Sequence, residues 1–312
     1  MATDRAPGQT LEPQVARLGR RFPWLRLLRV HHWLKNLLVG VPLLTAQAWA
    51  QPAAVGRLGL GFLAFSLVAS ATYVVNDLAD ASFDRAHLAK RDRPLAAGTI
   101  RAGPALAVAG LLGLAGLAGA WLVGRGFLAV LVAYVVLTTL YTRGLKRVAI
   151  LDVLALGALW TLRIVAGAAA IRVELSVWLL SFGAFLFLSL SLVKRCAELY
   201  EAPGAPGLHL PGRGYRREDL PALQAFGIAT GAVSVLVLAL FVDSTAAQLH
   251  YPHHARLWLI CPSIWFWLGR IWLLTGRGEM HHDPIVWSLR DPPSWAAFAA
   301  VAAVWLAALS RL

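Results

Sequence analysis

Apolar residues in this chain fall into long unbroken runs, not into the alternating or striped patterns of a half-buried strand or surface helix. Nine runs stand out, at about 36–53, 58–76, 102–123, 126–142, 150–171, 176–193, 223–242, 257–274 and 293–311. A helix of 20 residues is about 30 Å long, which matches the hydrocarbon core of a bilayer. The pattern therefore predicts an all-α polytopic membrane protein with nine transmembrane helices. The fourth and sixth runs are short and the seventh is interrupted by small residues, so the count is nine, or eight. The longest connections reach only about 25–30 residues, too few for a soluble domain. Residues 22–312 thus read as one integral-membrane domain. Before it, 1–21 reads as a polar, disordered tail, and 22–35 mixes Trp, Leu and Arg as an interfacial helix would. No cleavable signal peptide is evident, because the first apolar run starts after some 35 residues.

Composition agrees. Hydrophobic residues make up 58% of the chain and charged ones 14%, with a mean hydropathy of +0.63. The net charge of +13 could suggest nucleic acid, but its distribution excludes that partner. With the N-terminus inside, the inner segments hold 23 Lys and Arg and the outer ones 5. This is the positive-inside pattern, and it places the N-terminus and the inner loops in the cytoplasm. Basic loops also attract anionic membrane lipids. The strong preference for Arg over Lys, with abundant Ala and Gly, points to a GC-rich bacterium and hence to its inner (plasma) membrane. Cys196 and Cys261 fall near opposite faces, so no disulfide framework is implied. Small-residue faces such as Gly110-x-x-Gly113 occur in bundles anyway and leave homo-oligomerisation open.

The polar residues with chemical potential collect in the inner loops. Asn76-Asp77-x-x-Asp80-x-x-x-Asp84 ends the second apolar run. At about 100° per residue, the three carboxylates project within roughly 60° of one another. Such a cluster at a membrane helix end is costly and serves no packing purpose. A divalent cation with oxygen ligands would relieve it, and Mg²⁺ typically bridges carboxylates to substrate phosphates. Arg85, Lys90, Arg91 and Arg93 follow and suit the remaining phosphate oxygens. The second inner loop holds Tyr141, Lys146 and, opening the next helix, Asp152. Arg163 lies deep in that span on the same face as Asp152, about 16 Å along the axis. An intramembrane cation of this kind is usually functional. The third inner loop opens with Lys194-Arg195-x-x-Glu198 and continues into a Gly/Pro-rich stretch, 203–214, long enough to form a lid. The chain has four lysines, Lys35, Lys90, Lys146 and Lys194, and all lie at the inner face. The outer His250, His253 and His254 lack a carboxylate or Cys to complete a metal site. The adjacent His281, His282 and Asp283 diverge and read as a structural rim.

In this order the residues resemble the UbiA-type intramembrane prenyltransferase superfamily. Asn76 to Asp84 matches its NDxxDxxxD motif, Arg93-Pro94-Leu-Ala-Ala-Gly98 its RPxxxG element, and Tyr141 with Lys146 its YxxxxK element. The resemblance implies nine helices, a cytoplasmic active-site cap and Mg²⁺ on Asp77, Asp80 and Asp84. One departure is informative. Superfamily members acting on aromatic acceptors carry a second acidic motif, DxxxD, where this chain has Lys194-Arg195-x-x-Glu198. With His32-Trp33-x-Lys35-Asn36 and Lys146-x5-Asp152, this is similar to the decaprenyl-phosphate phosphoribosyltransferase branch. That branch joins a polyprenyl phosphate to 5-phosphoribosyl diphosphate, releases diphosphate, and serves synthesis of an arabinose donor for the cell envelope.

The expected roles follow from the resemblance. Asp77, Asp80 and Asp84, with Asn76, hold Mg²⁺ on the donor diphosphate, and Arg85, Lys90, Arg91 and Arg93 grip its phosphates. Lys35, Lys146, Lys194 and Arg195 steer the lipid phosphate, with Tyr141, Asp152 and Arg163 completing the substrate site. The rival within the superfamily is transfer of a prenyl group from its diphosphate to an aromatic or other small acceptor. A rival of another class is a lipid or solute transporter. The single Asp-rich loop, with no counterpart in the other half of the chain, speaks against it.

Overall fold

The computed structural model describes residues 22–86, 91–201, 212–280 and 283–310. The 1–21 tail, His87, Lys90, most of the 203–214 stretch, His281 and His282 lie outside the described residues. All regular elements among the described residues are helices. Eight are long and apolar enough to cross a membrane, which makes the chain a multi-pass membrane protein. They are α1 (Pro52–Ala79), α2 (Ala102–Val123), α3 (Arg125–Arg143), α4 (Leu151–Ile171), α5 (Val177–Glu201), α6 (Leu220–Val242), α7 (Ile260–Gly276) and α8 (Pro292–Leu309), with 3₁₀ turns extending the sixth span back to Arg217 and the seventh back to His254. Each overlaps one of the predicted runs. Helix α5 continues past its apolar run to Glu201, so Lys194, Arg195 and Glu198 sit on a helix and not in a loop. No Gly or Pro interrupts the sequence before Pro203, so nothing stops the helix where the hydrophobicity ends.

The first predicted run takes another form. Residues 36–53 do not make one α-helix. The chain instead forms a 3₁₀ helix over Val30–Gly40, a short α-turn over Val41–Thr45 and a second 3₁₀ turn over Ala48–Ala50. Runs of 3₁₀ beyond a few residues need outside support. Here two side-chain bonds from Trp33 and Asn36 to serines of α1 supply it. Pro42 lacks the N–H that would continue an α-helix through Gly40, and Gln47 is left-handed at φ 52°.

The helices form two compact units. The first comprises 1–135 with 169–172, and the second 136–168 with 173–312. In the first, α1 and α2 pack through small residues. A Cβ added to Gly116 would lie 2.6 Å from Val68 Cγ2 and 2.8 Å from the Ala64 carbonyl oxygen. Helices α2 and α3 are joined by Gly124 alone, whose φ of 148° only glycine adopts readily. At the other end of α1, Leu27, Val74, Leu95 and Ile100 form a buried cluster that ties the 93–100 turn to the helix.

In the second unit, α5, α6 and α7 meet at one point. The Trp272 indole lies over Gly227, where an added Cβ would come within 2.1 Å of the ring. Its Nε1–H donates to Ser189 Oγ at 3.0 Å, and that hydroxyl donates to the Gly227 carbonyl at 2.7 Å. Every polar atom introduced there is satisfied, as burial requires. Helix α8 starts at a strong cap. Asp291 accepts from Ser294 N–H at 2.9 Å and from Arg270 Nη2 at 3.0 Å. Burial would push its carboxyl up, but the bonds from Arg270 and Ser294 outweigh that and hold it below the ordinary Asp range.

Two outcomes are expected. Gly116→Ala lowers stability by about 1–3 kcal/mol through overpacking, whereas Gly110→Ala, with nothing within 4 Å of its added Cβ, does not. Thermal unfolding in detergent separates the two. A depressed carboxyl stabilises the fold above its ordinary value of about 4, and the benefit fades as pH falls through the lowered one. Asp291→Asn is therefore less stable than the native chain at neutral pH, and the gap closes in acid. A gap that persists at the lowest pH would contradict the assignment.

Candidate active site

The acidic end of α1 is assembled from three directions. Ser66 and Ser70 on α1 receive Asn36 Nδ2 and Trp33 Nε1, each at 3.0 Å. Ser70 Oγ in turn donates to the Leu28 carbonyl at 2.8 Å. Partner numbers rise on one strand of contacts and fall on the other, so the 3₁₀ segment runs antiparallel to α1. This alignment brings Arg29 to Asp77, with Arg29 Nη2 at 2.5 Å from Asp77 Oδ1. Arg29 is left-handed at φ 49°, and its guanidinium lies 5.1 Å from the Tyr73 ring centroid.

The second direction is the chain beyond α1. The helix ends at Asp80, and a short helix over Ala81–Ala86 carries Asp84, whose N–H bonds the Asp80 carbonyl at 2.9 Å. The third is the turn after Arg93. The Ile100 N–H reaches the Pro94 carbonyl at 3.2 Å, Gly98 supplies a φ of +72°, and Leu95 and Ile100 are buried. Arg93 is thereby fixed over the acidic cluster. Its Nη1 donates to Asp84 Oδ2 at 2.7 Å and lies 3.2 Å from Asp77 Oδ1.

Asp77 and Asp84 are thus paired with two arginines. Asp77 and Asp84 are 3% and 5% exposed, so uncompensated charge there would be costly. The structure brings together Asp77, Asp84 and Arg93 of the expected residues. Asp80 and Asn76 are half-buried beside them, while Arg85 and Arg91 are exposed. Among the described residues, no group of three or more His, Cys, Asp or Glu is gathered as a metal site. The donor chemistry nonetheless fits a hard cation. Two carboxylates converge on one nitrogen of Arg93, which stands in as the shared positive charge.

A different cluster lies in the second unit. Asp152, fully buried at the start of α4, accepts from Tyr141 Oη at 2.9 Å. Arg195 Nη2 lies 2.7 Å from Asp152 Oδ2, out of hydrogen-bonding alignment, and Nη1 pairs with Glu198. Arg213 Nη1 donates to Tyr141 Oη at 3.0 Å. Tyr215 stacks its ring 5.6 Å from the Arg195 guanidinium and accepts the Ile150 N–H at 2.9 Å. Burial pushes the Tyr215 phenol up, with the Ile150 N–H pulling the other way. Residues 213–215 sit so close to the 147–149 turn that a Cβ on Gly214 would be 2.5 Å from the Arg147 carbonyl oxygen.

Of the remaining expected residues, Lys35 and Lys146 are buried and Lys194 is half-buried. Arg163 is buried, and its Nη1 bonds the Leu159 carbonyl one turn back.

Comparison with known proteins defines the family. Residues 37–201, more than half of the chain, match the UbiA prenyltransferase family. The chain belongs to that family.

The fold agrees. The structure of a UbiA homolog from Archaeoglobus fulgidus bound to GPP and Mg²⁺ superposes with a TM-score of 0.66 at 18% identity, covering 91% of this chain and 99% of that one. The uncharacterised protein y4nM of Sinorhizobium fredii is 40% identical over 302 residues, 96% of this chain but 58% of its own length. The decaprenyl-phosphate phosphoribosyltransferase of Mycobacterium tuberculosis is 36% identical over 182 residues, 57% of this chain and 60% of that protein. The chain therefore spans about three fifths of each of these two relatives.

In this UbiA-family chain, sequence reasoning missed Arg29, Arg213 and Tyr215. Arg29 was legible only as part of an interfacial segment. The antiparallel 3₁₀ packing that delivers it to Asp77 has no periodicity to read. Arg213 lies inside the Gly/Pro-rich 203–214 stretch and Tyr215 directly follows it, so both read as loop. Their signal was the Tyr215-Arg216-Arg217 run, one aromatic with two cations, that ends the stretch. Arg195 differs from a freely available phosphate ligand, because Asp152 and Glu198 already neutralise it.

Breaking that buried pair has a measurable consequence. Asp152→Asn removes the more deeply buried of the two carboxylates facing Arg195, leaving Glu198, and is expected to cost about 3 kcal/mol. Adding Arg195→Gln recovers part of the loss. Unfolding curves of the single and double variants check this, and strict additivity would argue against direct coupling.

Proposed function

We propose that this UbiA-family chain transfers a 5-phosphoribosyl group from 5-phosphoribosyl diphosphate to a polyprenyl phosphate at the cytoplasmic face of a bacterial inner membrane. The observation that carries the reading is the contrast between the two polar clusters. Asp77 and Asp84 converge in the first unit on one cation. The position of a second acidic motif is instead occupied by Lys194 and Arg195, with Arg195 locked to Asp152 and Glu198. One acidic cluster suits one metal–diphosphate. In the other position Arg195 is balanced by Asp152 and Glu198, and the neighbouring Lys194 suits a substrate that is itself a phosphate. The 36% identity to decaprenyl-phosphate phosphoribosyltransferase supports the same branch.

Asp77 and Asp84, with Asp80 and Asn76, are the residues to hold Mg²⁺, which when bound would offset the charge developing on the departing diphosphate. Arg93, Arg85 and Arg91 then bind the phosphate oxygens of the donor, with Lys90 in the same loop. An oxygen of the lipid phosphate forms the new bond to C1 of the ribose as the C1–diphosphate bond breaks. The bonding electrons leave with the diphosphate. The attacking oxygen is already anionic, so no strong general base is required. Lys35, Lys146 and Lys194 are the cations assigned to orient the lipid phosphate, which lowers the barrier by positioning and charge compensation. Tyr141, Asp152 and Arg195 form a fixed polar frame that positions the start of α4 and, with it, Arg163.

A radiolabelled transfer assay tests the reading. Purified protein, Mg²⁺ and a polyprenyl phosphate are incubated with labelled 5-phosphoribosyl diphosphate, in parallel with a polyprenyl diphosphate and an aromatic acceptor. Label is expected in the lipid phase of the first reaction alone. Product only in the second would replace the reading with prenyl transfer. Asp77→Asn and Asp84→Asn are expected to lower turnover by about two orders of magnitude or more while the protein still purifies folded. Full Mg²⁺-dependent activity in both would remove the metal assignment.

A further inference from the structure

The arginine fixed over the acidic cluster has a role beyond gripping phosphate. We infer that Arg93 is a tethered counter-cation that competes with the metal, so that metal and diphosphate bind well only together. The inference rests on the metal–diphosphate reading above and adds the regulation of that site.

The geometry is specific. One nitrogen, Arg93 Nη1, reaches Asp84 Oδ2 at 2.7 Å and Asp77 Oδ1 at 3.2 Å. Both carboxylates are buried, whereas the Arg93 side chain is 29% exposed. A divalent ion bound by the same two oxygens would sit within a few ångströms of that guanidinium. Two cations cannot share the pair without strong repulsion in a partly dehydrated pocket. The metal must therefore displace Arg93, and Arg93 must find another anion.

A diphosphate is such an anion. Its oxygens take a guanidinium fork bidentately, and they also ligate the metal that has replaced it. Binding of either ligand then favours the other by the same factor, as linkage requires. Arg29 serves differently. It reaches the same Asp77 Oδ1 at 2.5 Å, but its backbone is left-handed and its guanidinium rests beside the Tyr73 ring, so it keeps Asp77 through the carboxylate's second oxygen while Arg93 leaves. The turn that carries Arg93 is anchored behind it by Leu95 and Ile100. The exchange therefore needs only a side-chain movement.

The test is direct binding of Mn²⁺ to the whole 312-residue chain in detergent, followed by the loss of its free-ion EPR signal, with and without inorganic diphosphate. In the native chain, diphosphate is expected to tighten Mn²⁺ binding by about 5–150-fold, the ordinary range for coupled sites. Arg93→Gln is expected to bind Mn²⁺ about tenfold more tightly than native without diphosphate, and to gain less when diphosphate is added. Arg93→Lys keeps the charge and should resemble the native chain without diphosphate. A second readout guards against misfolding. Arg93→Gln should have a lower Tm than native in the absence of metal and a larger rise in Tm on adding Mn²⁺.

Equal or weaker Mn²⁺ binding by Arg93→Gln without diphosphate would overturn the competition while leaving the metal site standing. Failure of the native chain to bind Mn²⁺ under either condition would overturn the metal reading and the competition with it.

Discussion

A buried carboxylate at the end of an apolar helix must be matched by a positive charge, and much of the first unit is organised around meeting that demand at Asp77. The residue closes a 28-residue helix that is otherwise almost wholly apolar. Its compensation comes from segments that lie 48 residues before it and 16 after it in the chain. To bring Arg29 there, the first apolar segment must lie antiparallel along α1, which it does as a stretched 3₁₀ ribbon hydrogen-bonded to Ser66 and Ser70. To bring Arg93 there, a tight turn must be pinned by two buried aliphatic side chains. Electrostatics thus selects the local structure on both sides, and the hydrophobic cluster behind it supplies the rigidity.

The second unit solves the opposite problem, a buried cation. Arg195 is fully enclosed and is answered by Asp152, Glu198 and the face of Tyr215. The arrangement places Ile150 at φ 68°, a conformation that a β-branched residue adopts only at a cost of about 1–3 kcal/mol. The Tyr215 hydroxyl accepts the N–H of this residue, so the strained corner before α4 and the segment after α5 are held by one hydrogen bond. A pair of acidic motifs in a UbiA-type bundle would place negative charge at both positions. This chain has two arginine-paired carboxylates, Asp77 and Asp84, in one unit and an internally balanced cation in the other.

The sequence revealed most of the architecture because hydrophobic length is a local property. The eight long helices lie where the apolar runs are, and α2 matches its run at both ends. The first run was misread in form, since 3₁₀ and α segments of the same composition differ only in hydrogen-bond register, which here is imposed by α1. Asp77, Asp84 and Arg93 were legible as a chemical set because their spacing has no packing explanation. Their pairing was not, because the expected counter-ion was a metal and the one in place is a side chain. Lys194 and Arg195 were legible as a replacement of carboxylates. That Arg195 is spent on Asp152 could not be read from a separation of 43 residues.

The contact among Ser189, Gly227 and Trp272 bears on how such a protein can change over generations. The indole occupies the space that any side chain at 227 would need, and its N–H depends on the hydroxyl at 189. A larger residue at 227 is acceptable only after 272 has become smaller, and a smaller residue at 272 leaves the hydroxyl at 189 without its donor. The three positions, drawn from three helices and spread over 83 residues of chain, are therefore free to drift only as a set. Among descendants of this chain they should be inherited in matched combinations, with the intermediate steps rare.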